Sequence, residues 1–132
     1  MLGPYQRLRS WLTQTGEFWE TRCVKLPNGE RADLGTKLHD YVLNPLHRDG
    51  RNKARVFEAT LGITLAEADE LAEAILDAAA NRDCESKGDN GFGEVYVLRF
   101  PMWTKKGEAM VLTAWVIRHG EDFPRLTTCY IV

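Results

Sequence analysis

The sequence predicts an α+β domain in which N-terminal helices pack on an antiparallel β-meander, with an appended N-terminal helix and hairpin. Three observations lead there. The middle of the chain carries helical periodicity, broken once at Asn44-Pro45. The last third holds three strand-like runs, "GEVYVLRFPMW", "EAMVLTAWVIR" and "PRLTTCYIV". The segments between them, "TKKGE" and "HGEDFP", are short and turn-like. Short links between neighbouring strands imply antiparallel pairing, and helices followed by strands give helices packed on one face of a sheet.

Taken in order, "PYQRLRSWLTQT" places Tyr5, Leu8 and Leu12 at helical spacing after Pro4. "EFWETRCVKL" reads as a strand, "PNGE" as a turn and "RADL" as a candidate returning strand. Residues 1–34 are thus read as an N-terminal extension and residues 35–132 as the α+β domain. "TKLHDYVLN" allows two helical turns, with Thr36 as N-cap and Leu38, Tyr41 and Val42 on one face. Asn44-Pro45 ends it, since the residue before proline avoids the α region. "GRNKARVFEATLG" restarts a helix with Ala54, Phe57 and Leu61 inward and Gly62 just past its end. "TLAEADELAEAILDAAANRD" is the clearest helix, opened by a Thr64/Glu67 capping box. Its apolar stripe runs through Leu65, Ala68, Leu71, Ala72, Ile75, Leu76 and Ala79.

In "VLTAWVIR", alternation puts Val111, Thr113, Trp115 and Ile117 on one face and Leu112, Ala114, Val116 and Arg118 on the other. In "RLTTCYIV", Arg125, Thr127, Cys129 and Ile131 share a face opposite Leu126, Thr128 and Tyr130. Trp115 reads as core, and Cys129 as a small buried hydrophobe rather than a nucleophile. A buried Thr113 hydroxyl needs a partner, either a neighbouring strand or a ligand.

Composition bounds the function. The chain has 132 residues, 44% hydrophobic and 27% charged, with a net charge of −2. That is one domain able to bury a core, and any polyanion site must come from local clustering of cations. Cys23, Cys84 and Cys129 are odd in number and lack metal-ligand spacing, so no metal site is expected and reduced thiols in a cytosol fit. No apolar run approaches the ~20 residues of a membrane span, and "MLGPYQRLRSWL" lacks a signal-peptide core. A cytoplasmic protein without membrane contact is expected, with export by a signal-independent apparatus left open.

Local clustering occurs in one place. "KLHDYVLNPLHRDGRNKARVF" puts a proline, a histidine, a glycine and several cations into the turn between two helices. His47 follows Asn44-Pro45, Lys53 opens the next helix, and Arg48, Arg51 and Arg55 surround them. Cations beside a helix N-terminus collect phosphate, and an imidazole there suits proton transfer near neutral pH. The rival reading is a solvated cationic face with a loop histidine. His39 and His119 read as surface residues, and Asp69, Glu70 and Glu73 as the polar face of a helix.

The composite "KLHDYVLNP", His47, "DGRNKARVFEATLG", then "LTAWVI" and "DFPRLTTCYIV", resembles an uncharacterised family of small bacterial domains. Its pattern is Lys-Leu-x-x-Tyr-x-Leu-Asn-Pro-x-His, then Gly-x-x-Lys-Ala-x-x-Phe, then Thr-x-Trp, then Pro-x-Leu-x-Thr-x-Tyr, over residues 31–132. Related modules end the toxins of contact-dependent inhibition and other polymorphic toxins. They resemble the barnase, EndoU, colicin and RelE superfamily of small metal-independent ribonucleases, whose helices pack on an antiparallel sheet. The resemblance implies no cofactor and falls on Lys37, Tyr41, Asn44, His47, Lys53, Thr113, Trp115, Thr127 and Tyr130. Two positions depart: Leu112 stands where some toxin relatives have arginine, and Arg48 where they have proline. Arg118 or Arg125 is a candidate replacement for the lost cation.

Two functions follow. The first is a metal-independent, ribonuclease-like toxin domain cleaving RNA, with tRNA a candidate, by general acid/base chemistry. His47, Lys53, Thr113 and Tyr130 would be catalytic, and Lys37, Tyr41, Arg51 and Thr127 would bind substrate. RNA and a cognate immunity or neighbouring protein would be its partners. The second is a non-catalytic protein-interaction module on the same fold, with Trp11, Phe18 and Trp19 as contacts.

Overall fold

The computed structural model describes residues 23–132. Two long strands form the spine of its sheet. β3 (Gly93–Trp103) and β4 (Glu108–Arg118) pair antiparallel along their whole length, from Gly93↔Arg118 to Trp103↔Glu108. β1 (Cys23–Lys25) and β2 (Asp83–Asp89) extend the sheet on one side, and β5 (Arg125–Ile131) on the other. The order is β1-β2-β3-β4-β5 with every pair antiparallel, an uncrossed meander from β2 onward. Two helices, α1 (Arg51–Leu61) and α2 (Ala68–Asn81), pack on one face.

The helices start and stop where their residues dictate. Thr64 and Glu67 form the expected capping box, which opens a 3₁₀ turn over Leu65–Glu67 that runs straight into α2. Gly62, at φ 71°, ends α1, its N–H bonding the Glu58 carbonyl while that of Ile63 bonds Phe57. Of the predicted stripe on α2, Ala68, Leu71, Ile75 and Ala79 are buried; Leu65 and Leu76 stay exposed at its margin.

β2 was not legible. "DCESKGD" is almost entirely polar, and Cys84 is its one buried residue. A register shift between Ser86 and Gly88 breaks what alternation it has. Its position beside β3 decides its conformation, with β1 docked on its far side.

"RADL" does not return along β1. Gly29–Arg31 makes a single 3₁₀ turn against α2, and Asp33 then reaches the opposite edge of the sheet. There its N–H bonds the Pro124 carbonyl and its carbonyl accepts from Leu126 N–H, both at 2.9 Å. Arg125 locks this crossing: its guanidinium holds Asp33 at 3.2 Å and Glu121 at 2.9 Å, and stacks on Phe123. Leu26, within the segment read as an extension, is buried in the same core. The helix predicted over residues 4–15 lies outside the described residues, as does the start of the strand that follows it.

The core lies between the helices and the sheet. Phe57, Leu61, Leu71 and Ile75 meet Leu98, Phe100, Val111, Trp115, Leu126 and Cys129. Cys129 behaves as a buried hydrophobe, and burial pushes its thiol far above the usual thiol range. Two polar groups sit within this apolar volume and satisfy each other. Trp115 Nε1–H donates to Thr113 Oγ1 at 2.9 Å, and Thr113 Oγ1–H donates to the Leu98 carbonyl at 3.0 Å; both residues are 0% exposed.

β5 departs from simple alternation. The register shifts opposite Ala114/Trp115, so that Ala114 faces Thr128 while Trp115 faces Leu126. Thr127 is the extra residue, its hydroxyl donating to the Ala114 carbonyl at 2.8 Å. The expected face of Arg125, Thr127, Cys129 and Ile131 is therefore split. Leu126 joins Cys129 in the core and Thr127 is exposed. A bulge does this because one inserted residue reverses the facing of everything before it.

Thr113→Val is expected to destabilise the fold by about 1–3 kcal/mol, because a buried indole N–H loses its acceptor. Thr113→Ser keeps the acceptor and should lose less; urea unfolding of the three proteins measures the difference.

Candidate functional site

Three segments meet at the outer edge of β5. The first is a π-type turn over Leu38–Val42, closed by Leu43 N–H bonding the Leu38 carbonyl at 2.9 Å. Thr36 contributes its carbonyl to Asp40 N–H rather than a side-chain cap. Leu38 and Val42 anchor the turn in the core and leave Tyr41 half-buried above it. The second segment is the connection to α1. Asn44 Oδ1 accepts from Leu46 N–H at 2.9 Å, the Asx geometry that turns the chain at Pro45.

His47 has a defined task here. Its Nδ1 accepts from the N–H groups of Asp49 and Gly50, each at 2.9 Å. These donors belong to the turn just before α1, whose N-cap residue Gly50 makes no side-chain cap bond; the imidazole fixes that turn, and the His47 carbonyl accepts from Arg51 N–H at 3.0 Å. A neutral imidazole accepting at Nδ1 carries its hydrogen on Nε2. Gly50 permits the close approach: a Cβ there would lie 1.9 Å from the Tyr41 carbonyl oxygen.

The third segment is β5. Lys53, on the first turn of α1, projects between the two tyrosines, its Nζ 5.1 Å from the Tyr41 ring centroid and 5.7 Å from that of Tyr130. Lys37 Nζ lies 5.7 Å from the Tyr41 ring on its other flank. His47 meets Tyr41 edge-on at 5.0 Å. An open cleft of about 430 Å³ runs beside them, lined by Thr36, Lys37, Asp40, Tyr41, His47 and Thr127.

The electrostatics single out Tyr41. The Lys53 ammonium beside it holds the phenol below its ordinary value; burial opposes this and the Thr128 hydroxyl adds to it. The Thr128–Tyr41 approach falls short of a well-formed hydrogen bond and leaves Thr128 Oγ1 buried without a partner of good geometry. It is still close enough to favour the phenolate.

Among the residues expected at the site, Lys37, Tyr41, His47, Lys53, Thr127 and Tyr130 come together around this cleft. Thr113 does not: its hydroxyl is consumed in the core by Leu98 and Trp115. Arg51 lines a separate groove with Leu43, Pro45, Ala54 and Arg55. Thr128 was missed, although the Pro-x-Leu-x-Thr-x-Tyr pattern, counted from Pro124, falls on it rather than on Thr127. The turn-fixing role of His47 had no signal in spacing.

Nor do the candidate replacement cations reach the cleft. Arg125 is held by Asp33 and Glu121. Arg118 lies six residues along β4 from Leu112, the partner of Tyr130, which is ~20 Å at strand rise. Leu112 itself is buried on the sheet face away from the helices.

What the fold and cleft define is a small α+β domain with a cationic, phenol-lined edge. The chain belongs to the family described as "Domain of unknown function (DUF6883)", whose model matches residues 25–132. No curated protein and no solved structure matches it. Among the described residues, no His, Cys, Asp and Glu cluster is arranged to hold a metal ion, and no helix is long and apolar enough to cross a membrane.

His47→Ala is expected to cost about 1 kcal/mol through the hydrogen bonds lost from the turn before α1. His47→Asn retains a short acceptor and should recover most of it, so chemical unfolding of the pair separates the turn from any chemistry of the ring.

Proposed function

We propose that this domain is a ribonuclease-like module of the polymorphic-toxin type, cleaving RNA by acid/base chemistry without a metal at the edge of β5. The observation that carries the reading is that Tyr41 and His47 line one open cleft while Lys53, seated between the rings of Tyr41 and Tyr130, stands beside it. Cations beside hydroxyl and N–H donors are what a phosphodiester and its phosphorane require. Lys53 and Lys37 supply the charge. His47 presents Nε2–H as a donor to a phosphate oxygen. Tyr130 and Thr127 complete the polar wall, taking the place expected for Thr113. The likeness to toxin-type ribonuclease modules supplies the substrate class, with tRNA a candidate.

A second reading is a non-catalytic module that binds a neighbouring protein. It is favoured by the way Asn44 and His47 are occupied by the turn itself. The groove of Leu43, Pro45, Ala54 and Leu65, edged by Arg51 and Arg55, would be its contact.

Purified protein incubated with total RNA and tRNA in a chelator is expected to cleave. Lys53→Ala should lower the rate by about 10²–10³, the usual loss on removing one transition-state charge or donor. Intact RNA at high enzyme concentration, together with stoichiometric capture of one protein, would favour the second reading.

A further inference from the structure

The site holds two groups with ring or phenol chemistry, and the structure gives them different work. A general base needs a free lone pair directed at the substrate. His47 has no free lone pair to direct there: Nδ1 already accepts two backbone N–H groups, and Nε2 then carries the hydrogen. Moving that hydrogen to Nδ1 would set it against both donors and break the turn before α1. Tyr41 is the reverse case. Its ring lies 5.1 Å from the Lys53 ammonium and 5.7 Å from that of Lys37, in the lining of the cleft.

Resting on the reading above, we infer that the proton-accepting group is the Tyr41 phenolate, that Lys53 is both its counter-charge and the proton donor, and that His47 is a fixed-tautomer positioning donor. The step balances within the pair. Tyr41 Oη takes the proton of a ribose 2′-hydroxyl as the 2′-oxygen bonds to phosphorus. The P–O5′ bond breaks, and the leaving 5′-oxygen takes a proton from the Lys53 ammonium. The products are a 2′,3′-cyclic phosphate and a 5′-hydroxyl. Proton transfer from the Tyr41 phenol to the Lys53 amine restores the starting pair, with no oxidant, water or further reactant.

Groups facing Tyr41 from each packed element agree in sign except for the acids. Lys37 and Asp40 come from its own turn, His47 and Asp49 from the connection, Lys53 from α1, and Thr128 and Tyr130 from β5. Asp49 opposes the phenolate, but Lys53 outweighs it, so the phenol sits lower than an ordinary one. A lowered phenol gains its active form earlier as pH rises. The cleavage rate should therefore climb with pH and level off below the ordinary phenol range.

Two measurements decide this. The first is a near-ultraviolet phenolate titration, which needs no substrate. Tyr41→Phe should remove an early-ionising phenol, Lys53→Met should move it to higher pH, and Lys53→Arg should hold it low. The second is the pH profile of RNA cleavage. Tyr41→Phe should lose about 10²-fold or more in rate, with its rising limb abolished. Lys53→Met should shift the limb upward.

If the wild type cleaves and Tyr41→Phe keeps rate and limb, the phenolate assignment is overturned and the ribonuclease reading stands. A titration insensitive to Lys53→Met overturns the pairing even where cleavage is seen. Absence of cleavage by the wild type at every pH ends both.

Discussion

The turn that leads into α1 is folded around one imidazole nitrogen, which accepts the N–H groups of Asp49 and Gly50. Much of the site depends on that constraint. It fixes where α1 begins, so it fixes where Lys53 stands on the first turn. Gly50 lets the helix start press on the Tyr41 carbonyl, which sets the separation of α1 from the π-type turn. The ammonium then has only one place to go, between the rings of Tyr41 and Tyr130. A histidine that looks catalytic by residue type thus acts first through geometry.

The sheet side of the cleft depends on a different device. Two buried hydrogen bonds lock the centre of β4, one from Trp115 to Thr113 within the strand and one from Thr113 to the Leu98 carbonyl of β3. Beside them the bulge at Thr127 lets β5 change facing, so Leu126 and Cys129 both enter the core while Thr128 turns toward Tyr41. Arg125 pins the start of the same strand to Asp33. β5 is held at its start, its middle and its core face, which leaves its outer edge a firm wall for the cleft.

Much of this was legible. The capping box at Thr64, the C-terminal glycine of α1 and the three aromatic-rich strands each carry local signals that the fold obeys. The nearness of Tyr41, His47 and Lys53 was also legible, since one tight turn joins them. β2 was not, because a polar strand with a single buried residue has no period to detect. The partner of Thr113 was not legible: a hydroxyl at the centre of a strand pattern looks the same whether its partner is a ligand or an indole.

The sequence by itself determined the helix limits, the long strands and the grouping of cations in one turn, because those follow from periodicity, capping and the φ/ψ limits of proline and glycine. Only the tertiary structure decided which hydroxyls of β5 face that turn, and that Lys53 lies between two phenols rather than at a helix-end carbonyl. A one-residue bulge reverses facing without changing composition. A contact between α1 and β5 spans most of the chain and leaves no mark on local pattern.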